Sequence, residues 1–379
     1  MTKELPSQAQ VVVIGGGVIG VSVAYHLAKL GWNDVVLLER KRLTSGTTWH
    51  AAGLVGQLRA THNLTRLAQY TTGLFEELEK ETGQATGFKQ NGSISIAADQ
   101  ERFEELKRGA SMASRFGLEV QVITPAEAKD LYPLLNVDDM VGAVFLPKDG
   151  QVNPTDVTQA MAKGARSGGV SIFEKTKVTG IHTAHGRVSG VATERGDVLA
   201  EYVVNCAGMW GREVAAMAGV NVPLHACEHF YIVSEVMAEV PPDLPVLRDP
   251  SGYFYVKEDA GKLLVGAFEP GAKPWAINGI PEDFEFESLP EDWEHFAPVL
   301  ENVMHRVPLM ERAGIALFFC GPESFTPDTR YSLGECPEVS NFFVVTTFEC
   351  IRNFQAFKNS GSGVECMFER VIKKRFIKR

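Results

Sequence analysis

Val11 to Ile14 form an unbroken apolar run, three glycines follow, and apolar positions then recur at helical spacing to about Leu30. A short all-apolar run bounded by glycine reads as a buried parallel strand, and the spacing after it as a helix. A second apolar run, Val35 to Leu38, ends in Glu39, and a third, Val203 to Cys206, runs into Ala207 and Gly208. Between these stretches the pattern changes. Segments 173–194, 229–236 and 252–268 alternate apolar and polar residues and carry turn residues, which predicts antiparallel sheet. At 379 residues the chain exceeds what one hydrophobic core usually serves. The predicted fold is therefore mixed α/β with α+β character. A Rossmann-like domain (8–84, 151–221 and 321–379) interleaves with a substrate domain (85–150 and 222–320) built on a largely antiparallel β-sheet.

Gly15, Gly17 and Gly20 form G-x-G-x-x-G between the first strand and its helix. The first glycine permits a tight turn, the second lets backbone approach a pyrophosphate, and the third lets helix pack closely on strand. The helix N-terminus then offers free N–H groups to the phosphates. Glu39, 19 positions after Gly20, stands where a carboxylate accepts from a ribose hydroxyl and repels a 2′-phosphate. These residues predict a dinucleotide, NAD or FAD, and the position of the unit at the start of the chain favours FAD.

Lys and Arg number 37 against 47 Asp and Glu, a net charge of −10, so nucleic acid and anionic membrane gain no attraction and neither is an expected partner. No run approaches the ~18 apolar residues of a membrane span. The six cysteines lack the close pairs of zinc or redox sites, so buried thiols and no metal are expected. The polar start MTKELPSQAQ has no signal-peptide pattern. Cytoplasmic residence is expected, or the mitochondrial matrix if a presequence has been removed.

The loop after Glu39, RKRLTSGTTWHAAGLVG, is rich in small residues that allow close approach to a flat ligand. Its Trp49-His50-Ala51-Ala52-Gly53-Leu54 resembles a segment of the FAD-dependent dimethylglycine and sarcosine dehydrogenases, within the wider D-amino-acid oxidase-like flavoproteins. Segments 81–97, 146–170, 203–224 and 320–328 resemble the same family in order. The resemblance implies FAD bound covalently through His50. A flavin 8-methyl group becomes electrophilic on losing a proton, and a neutral imidazole nitrogen is a competent nucleophile toward it. It further implies that Arg40, Thr47, Ala52, Gly53, Ala207 and Gly208 line the cofactor, and that His229 and Tyr255 face the flavin and bind the amine. Tyr253 shares the parity of Tyr255 and is an alternative inward residue. Arg59, just past His50, is a candidate for a substrate carboxylate.

The implied reaction is oxidative N-demethylation of a small N-methylated amino acid of the dimethylglycine or sarcosine type. Hydride passes to flavin N5, and water hydrolyses the iminium to formaldehyde and the demethylated amine. Either O2 or an electron-transfer flavoprotein reoxidises the flavin; oligomeric state is not indicated. The matching residues are those of the flavin module alone, without the folate-binding region that many members carry. After FTPD the family has a glycine-rich run approaching the flavin, of which only Phe348, Gly361 and Gly363 remain, with Arg352, Phe354, Phe357 and Lys358 where small residues are expected. A side chain in place of hydrogen is forced toward the ring. That departure fits a divergent functional terminus, a frameshifted or truncated gene, or a non-catalytic relative resembling the regulatory subunit of pyruvate dehydrogenase phosphatase; another amine or amino-acid oxidase of the superfamily is a separate alternative.

Overall fold

The computed structural model describes residues 4–346, apart from 269 and 329. The divergent tail, with Phe348, Arg352, Phe354, Phe357, Lys358, Gly361 and Gly363, lies outside the described residues, as do Cys350 and Cys366.

Two eight-stranded sheets carry the architecture. The first runs Ser332–Glu335, Phe342–Thr346, Gly196–Asn205, Gln8–Ile14, Val35–Leu38, Ser171–Phe173, and its other two strands, Arg187–Thr193 and Val178–Ala184, branch from Gly196–Asn205. Gln8–Ile14 is central and pairs in parallel with Gly196–Asn205 and Val35–Leu38. Val11 and Val13 pack against helices Val18–Lys29 and Pro154–Ser167. Val12 and Ile14 face the hairpin Val178–Ala184/Arg187–Thr193 and the short helix Gly211–Ala216. A strand covered on both faces must be apolar at every position, which explains the unbroken runs. The second strand forms at the expected Val35–Leu38, and the helix closes at Lys29, beside the expected Leu30.

The second sheet runs Ile315–Phe325, His225–Ser234, Lys262–Ala267, Phe254–Asp259, Val246–Asp249, Ser93–Ala97, Gly142–Leu146, Gln121–Ile123. It is antiparallel except where Val246–Asp249 meets Ser93–Ala97. Side chains alternate between its faces. Phe230, Ile232, Phe254 and Val256 fill a core closed by Phe296, Val299 and Val303 of helix Trp293–Arg306. The other face presents Tyr231, Tyr255 and Leu264 to Ala52 and Leu54 of the loop that leaves the first sheet. The two sheets thus meet across the stretch that carries His50.

That loop is held in several ways. Leu54–Val55 pairs with Gly150–Gln151, and Lys257 Nζ, buried beneath it, donates to the Ala52 carbonyl at 3.1 Å. Gly53 has φ +74°, and a Cβ there would lie 2.2 Å from the Val152 carbonyl oxygen, so this glycine is required by a chain crossing. Among the described residues no helix is long and apolar enough to cross a membrane.

Candidate active site

The glycine turn forms a cradle closed to side chains. Gly15 has φ +111°, and a Cβ there would meet the Cys206 carbonyl oxygen at 2.4 Å, while one on Gly20 would stand 2.0 Å from the Gly15 carbonyl oxygen. Gly17 is the extended N-cap of helix Val18–Lys29. The Val18 N–H donates to Thr48 Oγ1 at 2.9 Å. Thr47, the hydroxyl singled out in the sequence, instead donates to the Pro322 carbonyl at 3.3 Å, so Thr48 is the residue at the helix N-terminus.

Glu39 is buried, with Oε2 accepting from Gly16 N at 2.6 Å and Oε1 from Lys41 N at 2.7 Å. Burial pushes its carboxyl upward, against the pull of those two N–H donors and of Arg40. The Arg40 guanidinium lies 4.6 Å from the Trp210 ring centroid and donates to the Glu282 carbonyl. The Trp210 indole N–H has no partner among the described residues. Ala207 N donates to Asn205 Oδ1 at 3.2 Å, and Gly208 (φ +55°) has nothing within 4 Å of where a Cβ would stand. A helix N-terminus, a glycine turn that admits no side chain and a carboxylate ending the second strand fit the pyrophosphate and ribose of a dinucleotide.

His50 closes the short 3-10 turn Thr47–His50 and is only 6% exposed. Its ring lies on Phe319 at 5.0 Å and edge-on to Trp49 at 5.6 Å. A Cβ on Gly321 would stand 2.9 Å from the imidazole Cε1, so only glycine lets the ring rest on that strand. Gly321 is in turn the cross-strand partner of His229. Burial first, then the charge of His229, push the His50 imidazolium down to about 3, and the ring is neutral at working pH. Its Nε2 has no hydrogen-bond partner among the described residues, which is costly for a buried nitrogen.

An aromatic wall continues from this point across the second sheet. Tyr231 stacks on Phe319 at 4.9 Å. His229 and Tyr255 both flank Phe268, at 6.2 and 5.1 Å. Tyr255 is 3% exposed, whereas Tyr253 is 45% exposed and has φ +61° in the turn before the strand begins, so Tyr255 is the inward residue of the two. A Cβ on Gly266 would fall 2.1 Å from the Tyr255 hydroxyl oxygen, which makes room for that ring. Burial pushes the Tyr231 hydroxyl up to about 12 and keeps it protonated.

Sequence reasoning missed Tyr231, Phe268, Phe319 and Glu323. The parity rule reaches Tyr231, two positions after His229 on one strand. Glu323 and Gly321 share a strand face in the same way, which turns Glu323 toward the side occupied by His50. Arg59 lies beside Gly56, Asp149 and Arg248, and Arg248 is the cross-strand partner of Tyr255.

Burial pushes the Glu323 carboxyl up to about 7. Between the ordinary carboxylate range and pH 7 the folded chain keeps a proton that the unfolded chain releases, so stability falls as pH rises through that window. Glu323→Gln is expected to flatten the decline in Tm between pH 5 and 8, and an unchanged slope in the variant contradicts an uncharged Glu323.

Two sheets with a dinucleotide cradle in one and an aromatic wall on the other are the frame of a flavoprotein oxidoreductase. Over 91% of this chain and 89% of the other, it superposes on L-proline dehydrogenase from P. horikoshii with TM-score 0.81 and 25% identity. The family model for FAD dependent oxidoreductase matches residues 10–357, and the chain belongs to that family. It is 43% identical to mitochondrial sarcosine dehydrogenase of Homo sapiens, across 90% of this chain and 38% of that protein. It is also 40% identical to the mitochondrial pyruvate dehydrogenase phosphatase regulatory subunit of Mus musculus, across 90% and 39%. The chain therefore spans less than two fifths of the length of these relatives.

Proposed function

We propose that this chain binds FAD covalently through His50 and oxidatively N-demethylates a small amino acid of the dimethylglycine or sarcosine type. The observation that carries the reading is the meeting of the cradle and the wall at His50, a neutral buried imidazole whose Nε2 has no partner among the described residues. FAD, when bound, supplies the acceptor for the hydride leaving the N-methyl carbon, and O2 or an electron-transfer flavoprotein takes the electrons onward. Gly15, Gly17 and Gly20 admit the pyrophosphate, Glu39 accepts from ribose, and Arg40 with Trp210 borders that end. Ala52, Gly53, Ala207 and Gly208 are small enough to let the chain approach the cofactor closely, with Thr47 anchoring the loop to the second sheet.

An amine must lose its proton before hydride can leave the adjacent carbon. His229 and Tyr255, on either side of Phe268, take or relay that proton, and the aromatic wall keeps water away. His229→Asn and Tyr255→Phe are each expected to slow anaerobic flavin reduction by dimethylglycine or sarcosine, by on the order of 100-fold for the stronger of the two. Unchanged reduction rates in both remove them from the site.

A second reading is a regulatory module that binds FAD without turnover, favoured by the 40% identity to the phosphatase regulatory subunit. Anaerobic mixing separates the two: bleaching by an N-methyl amino acid supports the enzyme, and no bleaching by any amine supports the regulatory module.

A further inference from the structure

Strand Phe254–Asp259 carries a buried lysine two positions past Tyr255, on the same face. Lys257 is 8% exposed and stands opposite Leu264, which is itself opposite Val233, so its cross-strand row is apolar. Its Nζ donates to the Ala52 carbonyl at 3.1 Å, and among the described residues no carboxylate comes within ion-pair distance of it. Glu258 turns to the opposite face, where Lys89 Nζ lies 3.6 Å from it, and Asp259 is exposed. Burial pushes the Lys257 ammonium down, and the charges of Asp259 and Glu258 offset this only in part. A buried cation whose partner is a neutral carbonyl is costly, and a methionine of similar length would fill the same space without that cost. Packing alone therefore does not account for a lysine here.

What the ammonium holds is the chain two residues past His50. The Gly53 carbonyl accepts from Val152 N at 2.8 Å, and Leu54 pairs with Gln151. Gln151 Nε2 in turn donates to the Glu258 carbonyl at 3.1 Å. Ala52, 9% exposed, receives no backbone N–H among the described residues, so Lys257 supplies the donor its carbonyl needs. Upstream, Ala51 N reaches the Thr48 carbonyl at a long 3.4 Å. Lys257 is thus the first firm anchor after His50, and it joins the His50 loop to the strand that carries Tyr255.

We infer that Lys257 is a positioning residue for the link between His50 and FAD, its ammonium fixing the Ala52–Gly53 peptide so that His50 stays where the two sheets meet. The inference rests on the covalent reading of His50 and adds Lys257 to it. Hydrogen bonds from a charged donor are stronger than neutral ones, which suits a loop that must hold one geometry. One strand then sets both the His50 loop and Tyr255, so the two cannot shift independently.

The test uses the full-length protein made under riboflavin limitation and then given FAD. Lys257→Met keeps the length of the side chain and removes the donor, while Lys257→Arg restores a charged donor. Two quantities are read: the rate at which the denatured chain gains the mass of one FAD, and amide exchange in the peptide spanning 47–57 before FAD is added. Lys257→Met is expected to slow the link and to speed exchange in that peptide, each by about 10- to 100-fold. Exchange in strand Gln8–Ile14 should stay as in the wild type, and Lys257→Arg should recover most of both losses. Linkage at the wild-type rate in Lys257→Met overturns the inference, as does slowed linkage with unchanged exchange in the loop. Equal losses in Lys257→Met and Lys257→Arg also overturn it, since they report packing alone. If the wild type gains no FAD mass while Lys257→Met loosens the loop and Lys257→Arg does not, the anchor stands and the covalent reading fails.

Discussion

Gly20→Val is expected to yield a protein purified without FAD. A Cβ at position 20 would stand 2.0 Å from the Gly15 carbonyl oxygen, and its next contacts are the Gly15 carbonyl carbon at 3.0 Å and Cys206 Cβ at 3.3 Å. Two of these atoms are backbone of the turn itself, so helix Val18–Lys29 must shift away from the central strand. The N–H groups at its start then leave the place where the phosphates sit. Overpacking of this kind costs about 1–3 kcal/mol, and the loss of ligand binding lowers Tm further. The ratio of flavin to protein absorbance and the Tm are the readouts. Gly73→Ala is the control: that glycine lies on the exposed side of helix His62–Thr82 with nothing within 4 Å of its Cβ position, and the variant should keep its flavin and its Tm or gain slightly. Full flavin content in Gly20→Val would contradict the cradle.

His50→Ala is expected to convert the flavin from acid-stable to acid-extractable. The imidazole is neutral because burial and His229 hold its pKa down to about 3, and a neutral ring nitrogen has the lone pair that a covalent bond requires. Its Nε2 has no partner among the described residues, although burial normally enforces one. The proposed bond to the cofactor would account for that exception. The variant also leaves space beside Phe319 and Trp49, so a modest fall in Tm accompanies the loss of the link. Flavin that stays attached to the denatured variant places the link on another residue.

The cradle was legible because its requirements are local. Glycine spacing, an apolar run and a terminal acid are consequences of one turn between one strand and one helix, and Val35–Leu38 appears at the expected positions for that reason. The antiparallel sheet was legible as alternation, and its inward-facing members were not. Parity left Tyr253 and Tyr255 equivalent, and the left-handed turn at Tyr253 separates them. Thr47 and Thr48 are adjacent hydroxyls in one loop, and only its 3-10 turn shows that Thr48 reaches the helix N-terminus. Phe319 and Glu323 come to the wall through strand register between segments far apart in sequence, and no local pattern encodes that. Gly53 crosses the Val152 carbonyl, a contact that the loop's own sequence does not encode.

The most direct measurement is acid precipitation of the purified protein, followed by the intact mass and a peptide map. The account predicts a yellow pellet, a chain heavier by one FAD, and the added mass on the peptide containing His50. Yellow colour only in the supernatant, with the bare chain mass in the pellet, would contradict the covalent link; a colourless protein from the start would contradict the flavin site as a whole.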